Sequence, residues 1–476
     1  MALSLPSNPD LEHLRRDARR LQRAVRGGDR RGIELVARHH PQGVPDDPAS
    51  FGLAAAQLVV ARGHGFSSWP RMLEYLRAAR PLWRDPAALD PTAHDPLAPT
   101  ALAPTALDAT PVDAPLDPAP GPPRDATASF PAVAPVPGPV IAALACLTYT
   151  ERDEPARWAR AVDVLAAHPG LADRDVVVAA VAGDAAALRT HLAAGPGAAT
   201  RDAGPFRWPP LLYLVYSRIP QRDPMEAARV LLDAGADPDS GYLWQGLPTP
   251  FTALTGALGE GENGPGRQPR HPRWRELAEL LLAHGADPND RQALYNRMFN
   301  RDDSHLELLL AHGLGRPSSE VWTRRIGSAG ESVEEMMQRQ LHWAEGHGFA
   351  RRLELLAAHG HVLTPADAPA GGADGPAPRA PAIHRAATPE AVRAAAAEGA
   401  DLDARHDGRT ALHQAAFMGD AELVEALLDV GADPDAVDAT HGSTAAGWAE
   451  WARHDELATL IRDHGPGGPG HDTTAR

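Results

Sequence analysis

Four histidines share one position in the chain, since each stands immediately before a glycine that ends a predicted helix. They are His284, His312, His359 and His464. Imidazoles bind metal ions only where several converge on one point. At a helix end, the ring instead reaches the last carbonyl groups and complements the helix dipole. Stacked helices lie about 10 Å apart, which keeps such histidines separate, so we predict a structural role and no metal site.

Acid–base chemistry has one candidate region, which contains Glu260, Glu262 and His271. Two neighbouring carboxylates can donate and accept protons. Four glycines between positions 259 and 266 favour a flexible, solvated loop instead, and no Lys-Ser/Thr pair follows them to form a phosphate-binding loop. The single cysteine, Cys146, excludes an internal disulfide and a cysteine-based zinc site. We therefore predict a non-enzyme without catalytic residues, cofactor or metal.

The elements that position these residues repeat along the chain, most clearly at residues 407–438. Asp407-Gly408 predicts a turn, and Thr410 is placed to cap a short helix whose His413 can hydrogen-bond to neighbouring backbone. A second helix has leucines and a valine at 3.6-residue spacing, and Gly431 suits the left-handed residue that ends it. The pattern predicts a helix-turn-helix unit.

This unit resembles the ankyrin repeat, with Ala411 where that family usually has proline. Thr444, Ala449 and Gly465 repeat the pattern 34 residues after Thr410, Ala415 and Gly431. Six less regular copies precede these two, at Val178 to Gly195, Pro210 to Pro238, Thr252 to Pro288, Ala293 to Gly313, Leu341 to Gly360 and Ile383 to Asp401. The resemblance implies an all-α ankyrin-repeat solenoid, preceded by a small helical N-terminal domain.

Composition changes divide the chain into six segments. We predict a helical N-terminal module (1–80), a disordered Pro/Ala-rich linker (81–140), degenerate repeats (141–360), an Ala/Gly/Pro-rich insertion (361–381), regular repeats (382–466) and a disordered tail (467–476). Residues 141–171 are expected to form a helical pair that caps the array. Within the module, Ser68 should cap the last helix, with Pro70 in its first turn.

The composition also limits the cellular location and the kind of binding partner that can be expected for this protein. A formal net charge of −16 argues against nucleic acid as the main partner, and no apolar run reaches the ~18 residues of a membrane span. A cytoplasmic protein is expected. All 46 basic residues are arginine, and with abundant Ala, Pro and Gly this indicates a GC-rich bacterial source.

The alternative to a protein-binding scaffold is nucleic-acid binding through the N-terminal module. Residues 11–40 contain nine arginines against four acids, with Arg15, Arg19, Arg23 and Arg26 close to one face of a predicted helix. Clustered arginine is typical of phosphate binding. The other interpretation is a solvated face that keeps an amphipathic helix soluble.

Ankyrin-type arrays bind other proteins through an extended concave surface, where a few aromatic or arginine residues dominate affinity. One repeat position holds aromatic rings in several units. The predicted protein-binding residues are Tyr216, Phe299, Phe417 and Trp451 at that position, with Arg405, His406, Arg409 and Met418 beside it in the best-matching unit. These rings either contact a partner or stack between repeats, and the loop from Gly256 to Trp274 is a second candidate surface. The roles of regulator, adaptor and toxin-neutralising partner remain alternatives, and the oligomeric state is open.

Overall fold

The computed structural model describes residues 10–86, 137–195, 197–317, 321–327, 331–363 and 380–465. Most of the predicted linker, insertion and tail lie outside these residues. The described part is mostly helical, with three short strands in addition, so the all-α expectation needs a small correction.

The N-terminal unit contains four helices: α1 (Leu11–Arg26), α2 (Arg30–His39), α3 (Leu53–Gly63) and α4 (Trp69–Ala79). Four apolar residues of α1, spaced three or four positions apart, are buried: Leu14, Ala18, Leu21 and Val25. Most of this face packs against α3. Ser68 accepts a hydrogen bond from the backbone N–H of Arg71, and Pro70 lies in the first turn of α4, which confirms the predicted cap.

Within the described residues, the repeat region begins with a helix pair, α5 (Pro137–Ala145) and α6 (Pro155–Ala167), and continues with eight pairs, each at one of the predicted units. The first four pairs are α7 (Val176–Val181) with α8 (Ala185–Ala194), α9 (Pro210–Tyr216) with α10 (Pro224–Asp233), α11 (Ala253–Leu258) with α13 (Trp274–Ala283), and α14 (Arg291–Arg297) with α15 (Ser304–Ala311). The last four pairs are α17 (Val333–His347) with α18 (Ala350–Ala358), α19 (Ala382–Arg385) with α20 (Pro389–Ala397), α21 (Ala411–Met418) with α22 (Ala421–Asp429), and α23 (Ala445–Trp451) with α24 (Asp455–Asp463). Two further helices lie between elements of these pairs: the one-turn α12 (Gly264–Arg267) between α11 and α13, and α16 (Val321–Ile326) between α15 and α17.

Local signals explain where these helices begin and end. Thr410 caps α21 by accepting from the backbone N–H of His413, and the ring of His413 bonds the carbonyl oxygen of Ser443 at 2.9 Å, as predicted. Six of the glycines that follow the second helix of a unit have φ between 82° and 98°: Gly235, Gly285, Gly313, Gly360, Gly399 and Gly431. This left-handed conformation, which glycine adopts without a steric cost, ends each helix.

The buried apolar residues of the array form two cores. One runs from Val140 to Leu356, and the other runs from Ile383 to Ile461. The break between them coincides with the Ala/Gly/Pro-rich segment of the sequence. The last three units therefore have a core of their own.

The N-terminal unit packs on the repeat region. Strand β1 (Trp83–Arg84) pairs in parallel with β2 (Gly241–Trp244), which pairs antiparallel with β3 (Pro250–Thr252). Tyr75 donates a hydrogen bond to the carbonyl oxygen of Gly246 at 2.8 Å. Residues 81–86 and 137–140 of the predicted linker, 81–140, belong to the described residues, and the rest of it lies outside them.

The array also closes on itself. The segment between α11 and α13, residues 259–273, is called the arm below, and α12 within it contacts α21. Arg267 in the arm donates to the carbonyl oxygens of Trp451 at 2.6 Å and Glu151 at 2.9 Å. Arg453 forms an ion pair with Glu154 at 2.5 Å. The last unit therefore touches the loop between α5 and α6, and both contribute to the lining of an open pocket.

Candidate functional site

The pocket beside the arm and the last unit, called the aromatic pocket below, has a volume of about 820 Å³. Its walls are the first helices of the last five units, together with the arm and the loop between α5 and α6. The aromatic residues that line it are Tyr295, Phe299, Trp343, Phe349, Phe417, Trp448 and Trp451, and its histidines are His347, His384, His406 and His441. Such a concentration of rings is unusual in a chain with 5% aromatic residues.

The structure brings most of the predicted protein-binding residues together in this pocket. Phe299, His406, Arg409, Phe417, Met418 and Trp451 all line it. Arg405 lies outside the pocket lining, where its guanidinium donates to the carbonyl oxygen of Val437 at 2.8 Å. The grouping arises because neighbouring repeats place equivalent positions side by side.

Tyr216 is the clear correction. Its side chain has no exposed surface, and its hydroxyl donates to the carbonyl oxygen of Thr252 at 2.9 Å. The rings of Trp208 and Tyr242 pack on it at 5.0 and 6.0 Å between centroids. The large neighbouring side chains bury this position, so Tyr216 is a core residue.

Phe417 and Trp451 lie side by side, as predicted for equivalent positions in adjacent units. Their rings stack with centroids 6.0 Å apart and an interplanar angle of 19°, and 41% of Trp451 is exposed. The arm contacts both residues: Gly264 lies against Phe417, and the guanidinium of Arg267 lies 4.6 Å from the centre of the Trp451 ring. Both rings therefore pack within the chain and also line the pocket, and their contact with a partner stays a prediction.

Two ring residues at the end of α17 also line the pocket, and neither was among the residues predicted from the sequence. Trp343 stacks on His347 with centroids 3.8 Å apart, and its ring meets the edge of Phe299 at 5.1 Å. Trp448 from α23 was missed as well, and it meets Phe417 edge to face at 5.7 Å. The i, i+4 spacing of Trp343 and His347 places both on one helix face, and this spacing was the sequence pattern that could have identified them.

Arginines from the same chain already cover several of the aromatic faces. Arg409 lies over Trp448 at 5.5 Å, and Arg301 lies over Phe349 at 5.5 Å. The guanidinium of Arg301 also donates to the carbonyl oxygen of Ala386 at 3.0 Å. The pocket therefore presents ring edges and guanidinium groups together, which suits a segment with both apolar and hydrogen-bonding groups.

Two of the pocket histidines, His384 and His347, favour the neutral ring because they are buried. Burial lowers the pKa of His384 to about 4, and its Nε2 lies 2.8 Å from the carbonyl oxygen of Ala404. Burial also lowers the pKa of His347, whose Nδ1 lies 2.9 Å from the carbonyl oxygen of Trp343. Neutral imidazoles can accept hydrogen bonds or bind metal through the second nitrogen.

Three of the four helix-end histidines have the structural role that the sequence predicted. His284, His359 and His464 each bond through Nδ1 to the carbonyl oxygen four residues earlier, at 2.8 to 2.9 Å. Each ring completes the end of its own helix.

The arm differs from the flexible, solvated loop that its glycines predicted. Glu260 and His271 are 3% and 2% exposed. Glu260 forms ion pairs with Arg270 at 2.7 Å and with Arg297, which is itself fully buried. His271 bonds to the side chain of Gln221 at 2.7 Å, and burial lowers its pKa to about 3. These contacts order the arm and leave Glu260 and His271 engaged in structure.

The arginine-rich face of α1 is partly neutralised by acids of the same helix. Arg15 pairs with Glu12 at 2.5 Å, and Arg20 pairs with Asp17 at 2.7 Å. Arg26 donates to the carbonyl oxygen of Phe51 at 3.0 Å. Arg19 and Arg23 of this face are exposed, and phosphate binding by it stays the alternative prediction.

Comparison with known proteins agrees with the repeat geometry. Residues 407–439 match the family model of the ankyrin repeat, so the chain contains an ankyrin repeat formed by the turn at Asp407, α21 and α22. Ankyrin repeats generally mediate protein–protein interaction, and the family is generally non-catalytic. A solved structure described as the human ASB11 ankyrin repeat domain is similar over 60% of this chain and 96% of that chain, with 16% sequence identity and a TM-score of 0.24. No curated protein matches the chain in sequence. None of the helices in the described residues has the length and apolar character needed to cross a membrane.

Proposed function

We propose that this protein is a non-catalytic scaffold for protein–protein interaction, a regulator or adaptor in a bacterium, and that it binds its partner in the aromatic pocket. The observation that carries the proposal is the convergence of Phe299, Phe417 and Trp451, from three different units, on one pocket. Aromatic residues in well-packed pockets dominate the affinity of protein interfaces.

The size and lining of the pocket indicate the kind of partner. A volume of about 820 Å³ accommodates a few side chains rather than a folded domain. Ring edges provide apolar contact, while Arg301, Arg409 and the imidazoles of His347 and His384 provide hydrogen-bonding groups. We therefore infer that the partner inserts a short segment with at least one large apolar side chain.

Affinity capture tests this proposal, with the intact protein and the double variant Phe417→Ala/Trp451→Ala as baits in a lysate of the source organism. Loss of two anchor rings removes about 2 kcal/mol or more of binding, which is roughly a 30-fold loss of affinity for the captured partner. Val437→Ala is the matched control, because Val437 is 43% exposed and lies outside the pocket lining.

Melting temperatures must accompany the capture, since the arm packs on both rings. A double variant that stays folded and loses the partner, while Val437→Ala keeps it, supports the proposal. A folded double variant that captures the same partner with unchanged affinity would assign the two rings to internal packing and overturn it.

A further inference from the structure

Three side chains with metal-binding atoms converge on one wall of the aromatic pocket. His347 ends α17, and His406 and Asp407 lie in the turn before α21. One ligand atom from each residue lies within 4.8 Å of the other two. The convergence joins two different units of the array and depends on their packing.

The ring of His347 is already oriented for coordination. Its Nδ1–H donates to the carbonyl oxygen of Trp343 at 2.9 Å, which leaves the lone pair of Nε2 available. The ring also stacks on the indole of Trp343 with centroids 3.8 Å apart. Metal-binding histidines characteristically donate the other ring N–H to a carbonyl or carboxylate oxygen in this way.

The three ligand atoms need to move only a short way to reach the separations found around a bound metal ion. Tetrahedral Zn²⁺ with bonds of about 2.0–2.1 Å separates its ligand atoms by roughly 3.3 Å. His406 Nε2 and Asp407 Oδ2 are 3.8 Å apart, and the Asp407 side chain is 58% exposed, so it is free to rotate. The ligand atoms lie at most 4.8 Å apart, so a combined movement of up to about 1.5 Å, within the reach of side-chain rotation, brings them to bonding separation.

We propose that His347, His406 and Asp407 bind one divalent cation of the zinc class, with the remaining coordination position open to the aromatic pocket. Two imidazoles and one carboxylate suit zinc, whereas magnesium and calcium prefer sites made of oxygen ligands. The open position can take water or a side chain of a bound segment. This site goes beyond the proposed function and does not depend on it.

Metal titration of the full-length protein, without an affinity tag, tests the proposal. Zn²⁺ is titrated by calorimetry near neutral pH, and Co²⁺ binding is followed by its visible absorption. We expect one equivalent to bind to the unaltered protein and to raise its melting temperature, because the folded state holds the ligands together. His347→Gln and His406→Gln should each weaken binding by more than about 10-fold.

Two further variants make the test decisive. His359→Gln removes a histidine with the same Nδ1–carbonyl contact at a helix end outside the pocket, so Zn²⁺ affinity should not change. Asp407→Asn replaces a mostly exposed side chain, so it tests the third ligand with little risk to folding. No saturable binding, or affinity that is unchanged in His347→Gln, His406→Gln and Asp407→Asn, would overturn the site while leaving partner capture by the pocket untouched.

Discussion

The third repeat unit and the C-terminal units begin in the same way but are stabilised differently. Thr252 caps α11 and Thr410 caps α21, each with a reciprocal bond to the third helical residue. In the C-terminal units, small and branched apolar residues such as Leu412 and Leu427 then form the core. The third unit adds the arm, which is held by buried ion pairs between Glu260 and two arginines.

This difference shows how a repeat acquires a function that its neighbours lack. The regular units need only stack, and nearest-neighbour apolar contacts suffice for that. The arm must reach across to α21 and Trp451, and a short, glycine-rich segment has too little apolar surface to hold such a position. Buried charges take that role, and each one then depends on its partner. The comparison predicts that the two regions respond to different perturbations.

The largest effect is expected from Arg297→Met. The guanidinium of Arg297 is fully buried and pairs with the buried Glu260 and the partly exposed Asp302, so its removal leaves these two carboxylates to share Arg270. Removal of one member of a buried ion pair typically costs about 3–5 kcal/mol of unfolding free energy. Urea unfolding measures this cost.

The control for that change is Arg273→Ala, which breaks an exposed pair with Glu276 and should cost about 1 kcal/mol or less. Equal losses in the two variants would contradict the assignment of the arm to buried electrostatics. Arg297→Met combined with Glu260→Leu should recover part of the loss, because both charges are then absent.

An intermediate effect is expected on acidification, through His271 in the arm. Burial lowers its folded pKa to about 3, whereas the unfolded value is 6.5, so the unfolded state binds the extra proton first. The contribution of His271 to the unfolding free energy is therefore fully present above pH 6.5. It is lost as pH falls from 6.5 toward 3, by about 1.4 kcal/mol per pH unit.

Unfolding free energies at pH 7, 6 and 5 measure this slope, and His271→Asn should reduce it. His384 in the C-terminal region adds a loss of the same sign between pH 6.5 and about 4. If unfolding free energy falls with pH equally steeply in His271→Asn and in the unaltered protein, protonation of His271 is not the cause of the pH dependence.

The smallest effect is expected from Thr410→Ala in the regular region. The hydroxyl of Thr410 caps α21 and bonds Nδ1 of His413 at 2.7 Å. Loss of a threonine cap costs about 1 kcal/mol. Thr410→Ser keeps the hydroxyl and should stay close to the unaltered protein in urea unfolding. A loss in Thr410→Ser as large as in Thr410→Ala would mean that the methyl group, rather than the cap, matters.

The helix pairs could be read from the amino-acid sequence because their signals are local. A capping threonine, apolar residues at helical spacing and a glycine with positive φ all act within one unit, so Thr410, Leu427 and Gly431 predict their own helices. The same reasoning predicted the bonds of His284, His359 and His464 to their helix ends. Repetition then placed Phe417 and Trp451 side by side, since equivalent positions in stacked units are neighbours.

The formation of the aromatic pocket and the position of the arm depend on contacts between distant parts of the chain. Glycines near Glu260 predict a solvated loop locally, but Arg297, more than thirty residues away, buries that carboxylate in an ion pair. Tyr216 shares its repeat position with Phe417, yet the rings of Trp208 and Tyr242 cover it. His347 meets His406 and Asp407 only because two units pack together. Local patterns carry no information on such pairings, which depend on the closure of the array on itself.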